Sequence, residues 1–219
     1  MNADEIEERR GGEMKEMPKS FPRSNGWKAW LWRFMAATVT VGSALGFYFV
    51  LALRHSVTPT MVVMPSWVPF WPVFAVPYFG MLLLAWLLPV AIRDRGRFWA
   101  CLRAMACAFL LVVPWWIFFP TRMERPPTPE GWWVGPYVWL AEIDPPNCVL
   151  PCGHVIGAAA AWFIRRERPA WRWPLVVMLV VGFVSIAVTG QHRPVDILIG
   201  TVATAIGIGV AEVLRKRSG

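Results

Sequence analysis

With 219 residues, 56% of them hydrophobic, 15 tryptophans and a formal net charge of +8, the chain is too apolar for an ordinary water-soluble domain. Its four cysteines are too few and too scattered for a disulfide scaffold, and its arginines are spread between apolar runs, which excludes a nucleic-acid-binding surface. An integral membrane class remains. Trp27, Trp30, Trp32, Trp67, Trp71, Trp115, Trp116, Trp132, Trp133, Trp171 and Trp173 lie at or near the ends of apolar runs. Interfacial belts favour such places, because an indole is apolar but its N–H wants a wet partner.

Residues 1–25 mix Glu, Lys, Arg, Gly and Pro without apolar periodicity and read as a disordered tail. They lack the apolar stretch and small-residue cleavage site of a signal peptide, so the first span is expected to persist. Residues 26–219 then form one domain, an all-α polytopic bundle of about six transmembrane helices. Its apolar stretches run over 34–53, 73–92, 99–119, 152–164, 174–190 and 195–213, where a span needs ~20 residues. The fourth is short and requires Arg165 and Arg166 to snorkel, or the bilayer to thin around a polar site. The linker 54–72 reads as an irregular loop. The linker 120–150, the longest, is the functional loop.

Lys and Arg gather in the tail, between the second and third stretches, between the fourth and fifth, and at the C-terminus, all on one side of a six-span arrangement. That side is expected to be cytoplasmic, with both termini there. Arg54, Arg122, Arg125 and Arg193 fall on the other side against the bias. Three of them stand beside unusual polar residues. Phe119 to Pro127 follows the third stretch, Pro151-Cys152-Gly153-His154 opens the fourth, and Gly190-Gln191-His192-Arg193-Pro194-Val195-Asp196 opens the sixth. All three sit at the same membrane face.

His192 and Asp196 are four apart, on one side of a helix begun by Pro194. A carboxylate there takes the proton on one imidazole nitrogen and leaves the other as a lone pair. Helix N-termini carrying His154 and His192, beside Arg122, Arg125 and Arg193, make an anion site whose planar guanidinium groups suit phosphate oxygens. Together these residues describe phosphoryl transfer through a phosphohistidine. Two other readings concern the same residues. His154, His192 and Asp196 offer metal ligands, although the nearby arginines oppose a cation, and Cys148 and Cys152 are spaced for a disulfide. A lone interfacial histidine such as His55 reads as a wetted structural residue.

These segments resemble the type 2 phosphatidic acid phosphatase superfamily, in particular its inositol phosphorylceramide synthase-like branch. Arg125-Pro126 resembles the end of its first motif, Pro151-Cys152-Gly153-His154 its Pro-Ser-Gly-His motif, and Ser185 with His192 and Asp196 its third; Asp144-Pro145-Pro146-Asn147 resembles a stretch common in the branch. The resemblance covers about 99–210. It implies His192 as nucleophile, Asp196 as its orienting partner and His154 as general acid. Arg125 would bind phosphate, with Arg122, Cys152, Gly153 and Arg193 around it. It implies a phosphorylated lipid substrate, a site on the extracytoplasmic face, and no metal or organic cofactor. The chain departs from the family where Cys152 replaces a serine and Ile186 an arginine, the latter as in the synthase-like branch. Those departures favour the other class of reading, a non-enzymatic membrane carrier or adaptor for phosphorylated lipids.

Overall fold

The computed structural model describes residues 26–53, 58–128, 130–131 and 134–217. The expected tail at 1–25, and Arg54, His55, Trp132 and Trp133, lie outside the described residues. Helices α1 (Gly26–Ala52), α2 (Ala75–Leu87), α3 (Arg95–Phe118), α4 (Gly135–Ile143), α5 (Ala158–Glu167), α6 (Arg172–Val188) and α7 (Pro194–Arg217) follow in order. Short 3-10 turns extend α2 to Pro72–Ala91 and α6 to Pro169–Val188, and the turn His154–Gly157 leads into α5. Five of these segments, 26–52, 72–91, 95–118, 169–188 and 194–217, are long and apolar enough to cross a bilayer. The protein is thus an all-α multi-pass bundle.

The fourth apolar stretch is the exception. It is a four-residue 3-10 turn and a ten-residue α-helix, about 23 Å in all, against about 36 Å for the 24 residues of α3. It nevertheless links the two ends of the bundle. Glu167 at its far end accepts the backbone N–H groups of Arg93 and Asp94, at the start of α3. His154 at its near end meets His192, just before α7. A short element between the same two ends means that its near end lies inside the bundle, below the mouths of the longer helices.

The linkers also differ from plain loops. Thr60–Val62 (β1) and Thr121–Met123 (β2) pair as two parallel strands with Met61 opposite Arg122, and α4 occupies part of 120–150. Helix ends follow local chemistry. Asp94 caps α3 by accepting from the Arg97 N–H at 2.7 Å. α7 opens on Pro194, whose missing N–H costs nothing in a first turn.

α3 and α7 pack closely because glycine lets their backbones meet. A Cβ on Gly207 would lie 2.4 Å from the Ala104 carbonyl oxygen of α3; likewise one on Gly200 would lie 2.2 Å from the carbonyl of Cys152, in the loop that leads to α5. The core between the helices holds Phe98, Ala104, Ala108, Phe163 and Ala211, while Val39, Leu83, Leu110, Val177, Leu198 and Val202 face outward. An apolar exterior of this extent suits lipid. Trp27, Trp30, Trp67, Trp71, Trp115, Trp171 and Trp173 are exposed, as belts require. Trp116 is not part of a belt. It is buried, donates its indole N–H to the Pro151 carbonyl at 3.0 Å, and lies under Gly153.

Candidate active site

The loop 144–153 descends between α1, α2, α3 and α7. Asp144 reaches Tyr48 of α1 and Tyr78 of α2, Asn147 donates to the Ala52 carbonyl, and Cys152 comes to rest against Gly200 of α7. Gly200 lies six positions beyond the start of α7, about 9 Å along its axis. The loop therefore carries its polar groups to that depth in the bundle.

The two histidines of the sequence motifs meet there. His154 Nδ1 and His192 Nε2 are 2.9 Å apart. His192 Nδ1 lies 2.7 Å from the Val149 carbonyl, an acceptor only, so Nδ1 bears the proton and Nε2 a lone pair. Burial first, and His154 second, hold His192 well below the usual histidine range, which keeps it neutral. His154 Nε2 is 2.6 Å from the Tyr78 hydroxyl, which also lies 3.1 Å from Asp144 Oδ2. The Tyr48 hydroxyl donates to Asp144 Oδ1 at 2.8 Å. The result is a continuous polar line from Asp144 through Tyr78, His154 and His192 to Val149.

Asp196 takes another place. Its oxygens accept from Arg193 Nε and Nη2 at 3.1 and 2.8 Å and from the Arg193 backbone N–H at 2.9 Å, so it closes the first turn of α7 in the manner of a capping box. The partner of His192 is the Val149 carbonyl. Arg193, held by Asp196, is bound at the head of α7. Arg125 donates to the carbonyls of Gly190, Asp144 and Pro145 and lies 3.6 Å from Asp144 Oδ2, which ties 120–127, 144–152 and 190–193 together. Arg122 is exposed on β2, and no hydrogen bond or ion pair holds its side chain among the described residues.

Cys152 is fully buried, its N–H donates to the Asp196 carbonyl at 3.0 Å, and its sulfur lies 3.6 Å from His154 Nδ1. No disulfide joins it to Cys148. Gly153 opens the turn beneath His154 and packs on Trp116. Ser185, quoted from the third motif, donates to the Val181 carbonyl of its own helix at 2.6 Å.

Three ligand-type atoms, those of Cys152, His154 and His192, lie within 4.8 Å of one another, the one grouping among the described residues suited to a metal ion. Sequence reasoning missed Tyr48, Tyr78, Val149 and the part played by Asp144. A tyrosine inside an apolar span was a usable signal for the first two, because a hydroxyl there needs a partner. A backbone carbonyl such as that of Val149 leaves no trace in side-chain motifs.

Among the described residues, the unpartnered buried polar atoms include both Gln191 amide atoms, Arg125 Nε and Asn147 Oδ1, which lie in the segments that converge on the histidines. No family model matches the chain, and no curated protein or solved structure matches it either.

Proposed function

We propose that the protein is an integral-membrane enzyme that moves a phosphoryl or phospho-headgroup on a lipid through a phosphohistidine on His192. The observation that carries this reading is the histidine pair. His192 is neutral, its Nδ1–H is held by a carbonyl, and its Nε2 lone pair points at a second histidine 2.9 Å away. That is the state a nucleophilic imidazole requires. His154, placed at the same point, would protonate the leaving oxygen and later activate the water or lipid hydroxyl that resolves the intermediate. The resemblance to type 2 phosphatidic acid phosphatases and their synthase-like branch supports the same roles. Its orienting aspartate is replaced here by the Val149 carbonyl, with Asp196 fastening Arg193 instead.

Phosphate oxygens would draw on donors not yet spent, Arg125 Nε and the Gln191 amide. The distribution of Lys and Arg supports a site on the extracytoplasmic side with both termini in the cytoplasm. One experiment tests chemistry and side together. Intact cells given a short-chain phosphatidic acid from outside should release phosphate outside, and His192→Ala should reduce that release to background. Unchanged release removes the mechanism, and release only after permeabilisation inverts the orientation.

A second reading, a carrier or adaptor that binds phosphorylated lipids without chemistry, is favoured by one observation. Arg125 spends both terminal nitrogens on main-chain carbonyls, as a structural residue does. Phospholipid binding by the purified protein that survives His192→Ala, without turnover in either form, would support it.

A further inference from the structure

The hydrogen-bond network around the histidines can be followed proton by proton. The Val149 carbonyl accepts only, so His192 carries its proton on Nδ1 and presents a lone pair on Nε2. The Asp144 carboxylate also accepts only, so the Tyr78 oxygen 3.1 Å away donates to it. In the tautomer that spends the Tyr78 proton on Asp144, Tyr78 accepts from His154 Nε2 at 2.6 Å. His154 is then left with a lone pair on Nδ1, facing the lone pair of His192 at 2.9 Å. In that tautomer the two lone pairs share one positive centre, either a proton, which gives the acid form of His154, or a metal ion. The Cys152 sulfur stands 3.6 Å from the same Nδ1, on the third side.

We propose that Cys152, His154 and His192 bind one zinc-class divalent cation where the loop 144–153 meets α2, α3 and α7. One thiolate and two imidazoles are a ligand set that zinc takes, with a fourth position left open to water or an oxygen ligand. Metal-bound histidines donate their outer ring N–H to a carbonyl or a carboxylate-linked partner. His192 does so to Val149, and His154 does so to Tyr78 and through it to Asp144. The arginines do not forbid the cation, because each faces its own carboxylate, Arg125 with Asp144 at 3.6 Å and Arg193 with Asp196 at 2.8 Å. On binding, the Cys152 S–H bond breaks, its electron pair forms the metal–sulfur bond and its proton leaves to solvent, with no change of oxidation state. The cation occupies His192 Nε2 and so competes with any phosphoryl group for that atom. Its binding stands on geometry alone, whether or not the chain turns over a phospholipid.

The test is cobalt substitution in the purified, detergent-solubilised full chain after chelator treatment. Cobalt(II) should bind at one equivalent per chain with tetrahedral visible bands and a thiolate-to-cobalt charge-transfer band, and zinc should bleach both. Cys152→Ser should lose the charge-transfer band and weaken zinc by about tenfold or more. Tyr78→Phe should keep that band while weakening zinc roughly tenfold, as loss of a partner behind a ligand does. Failure of the wild-type chain to retain cobalt, retention without the thiolate band, or persistence of that band in Cys152→Ser would overturn the proposal.

Discussion

At one end of the bundle Asp144, Tyr78, His154 and His192 share hydrogen bonds in a setting where Tyr78 is fully buried and His192 is 4% exposed. At the other end Glu212 accepts from Arg166 and Arg215 at 3.1 and 2.9 Å, with the Arg166 side chain 44% exposed. The bond lengths are similar, but the surroundings are not. Near water an ion pair replaces hydration that was already good, and it adds little. Inside the bundle a buried group that loses its partner keeps most of the cost of its desolvation.

Asp144→Asn should have the largest effect on stability. It leaves Arg125 without its carboxylate and removes the charged acceptor of both tyrosines, at a cost of about 3 kcal/mol. Thermal unfolding in detergent would measure it, and a loss no greater than that of an exposed pair would break the contrast between the ends. Asp196→Asn comes next. It weakens the first turn of α7 and the hold on Arg193, for about 1 kcal/mol. Because His192 is oriented by Val149, turnover should fall less in Asp196→Asn than in His154→Ala. The reverse order in a phosphate-release assay would return Asp196 to the role that the motif resemblance gives it. Arg166→Ala should do least, within about 0.5 kcal/mol, since Glu212 keeps Arg215; the same unfolding assay checks it.

Much of this architecture is legible before any coordinates. Long uncharged runs mark six stretches in the sequence, five of which the structure shows as helices long enough to cross, because a bilayer demands ~20 apolar residues whatever the neighbours are. The convergence of Pro151 to His154 with Gly190 to Asp196 is legible too, since both segments fall at the same end of their helices. The fourth stretch was harder to read. Apolar composition marks it as a membrane segment, but its reduced length is tolerated because Glu167 and His154 are both held by neighbouring elements.

The sequence by itself determined the membrane class, the helical fold and the identity of the two histidines, because these depend on hydropathy, period and helix ends, all of them local properties. The tertiary structure alone decided who partners whom. Spacing offered Asp196 to His192, yet the carboxylate is drawn to the nearer guanidinium and N–H of Arg193, and a carbonyl 43 residues away in the chain takes the imidazole proton. Tyr78 and Asp144 lie 66 residues apart. Contacts of that kind depend on how the chain folds back on itself, and no local pattern of residues encodes them.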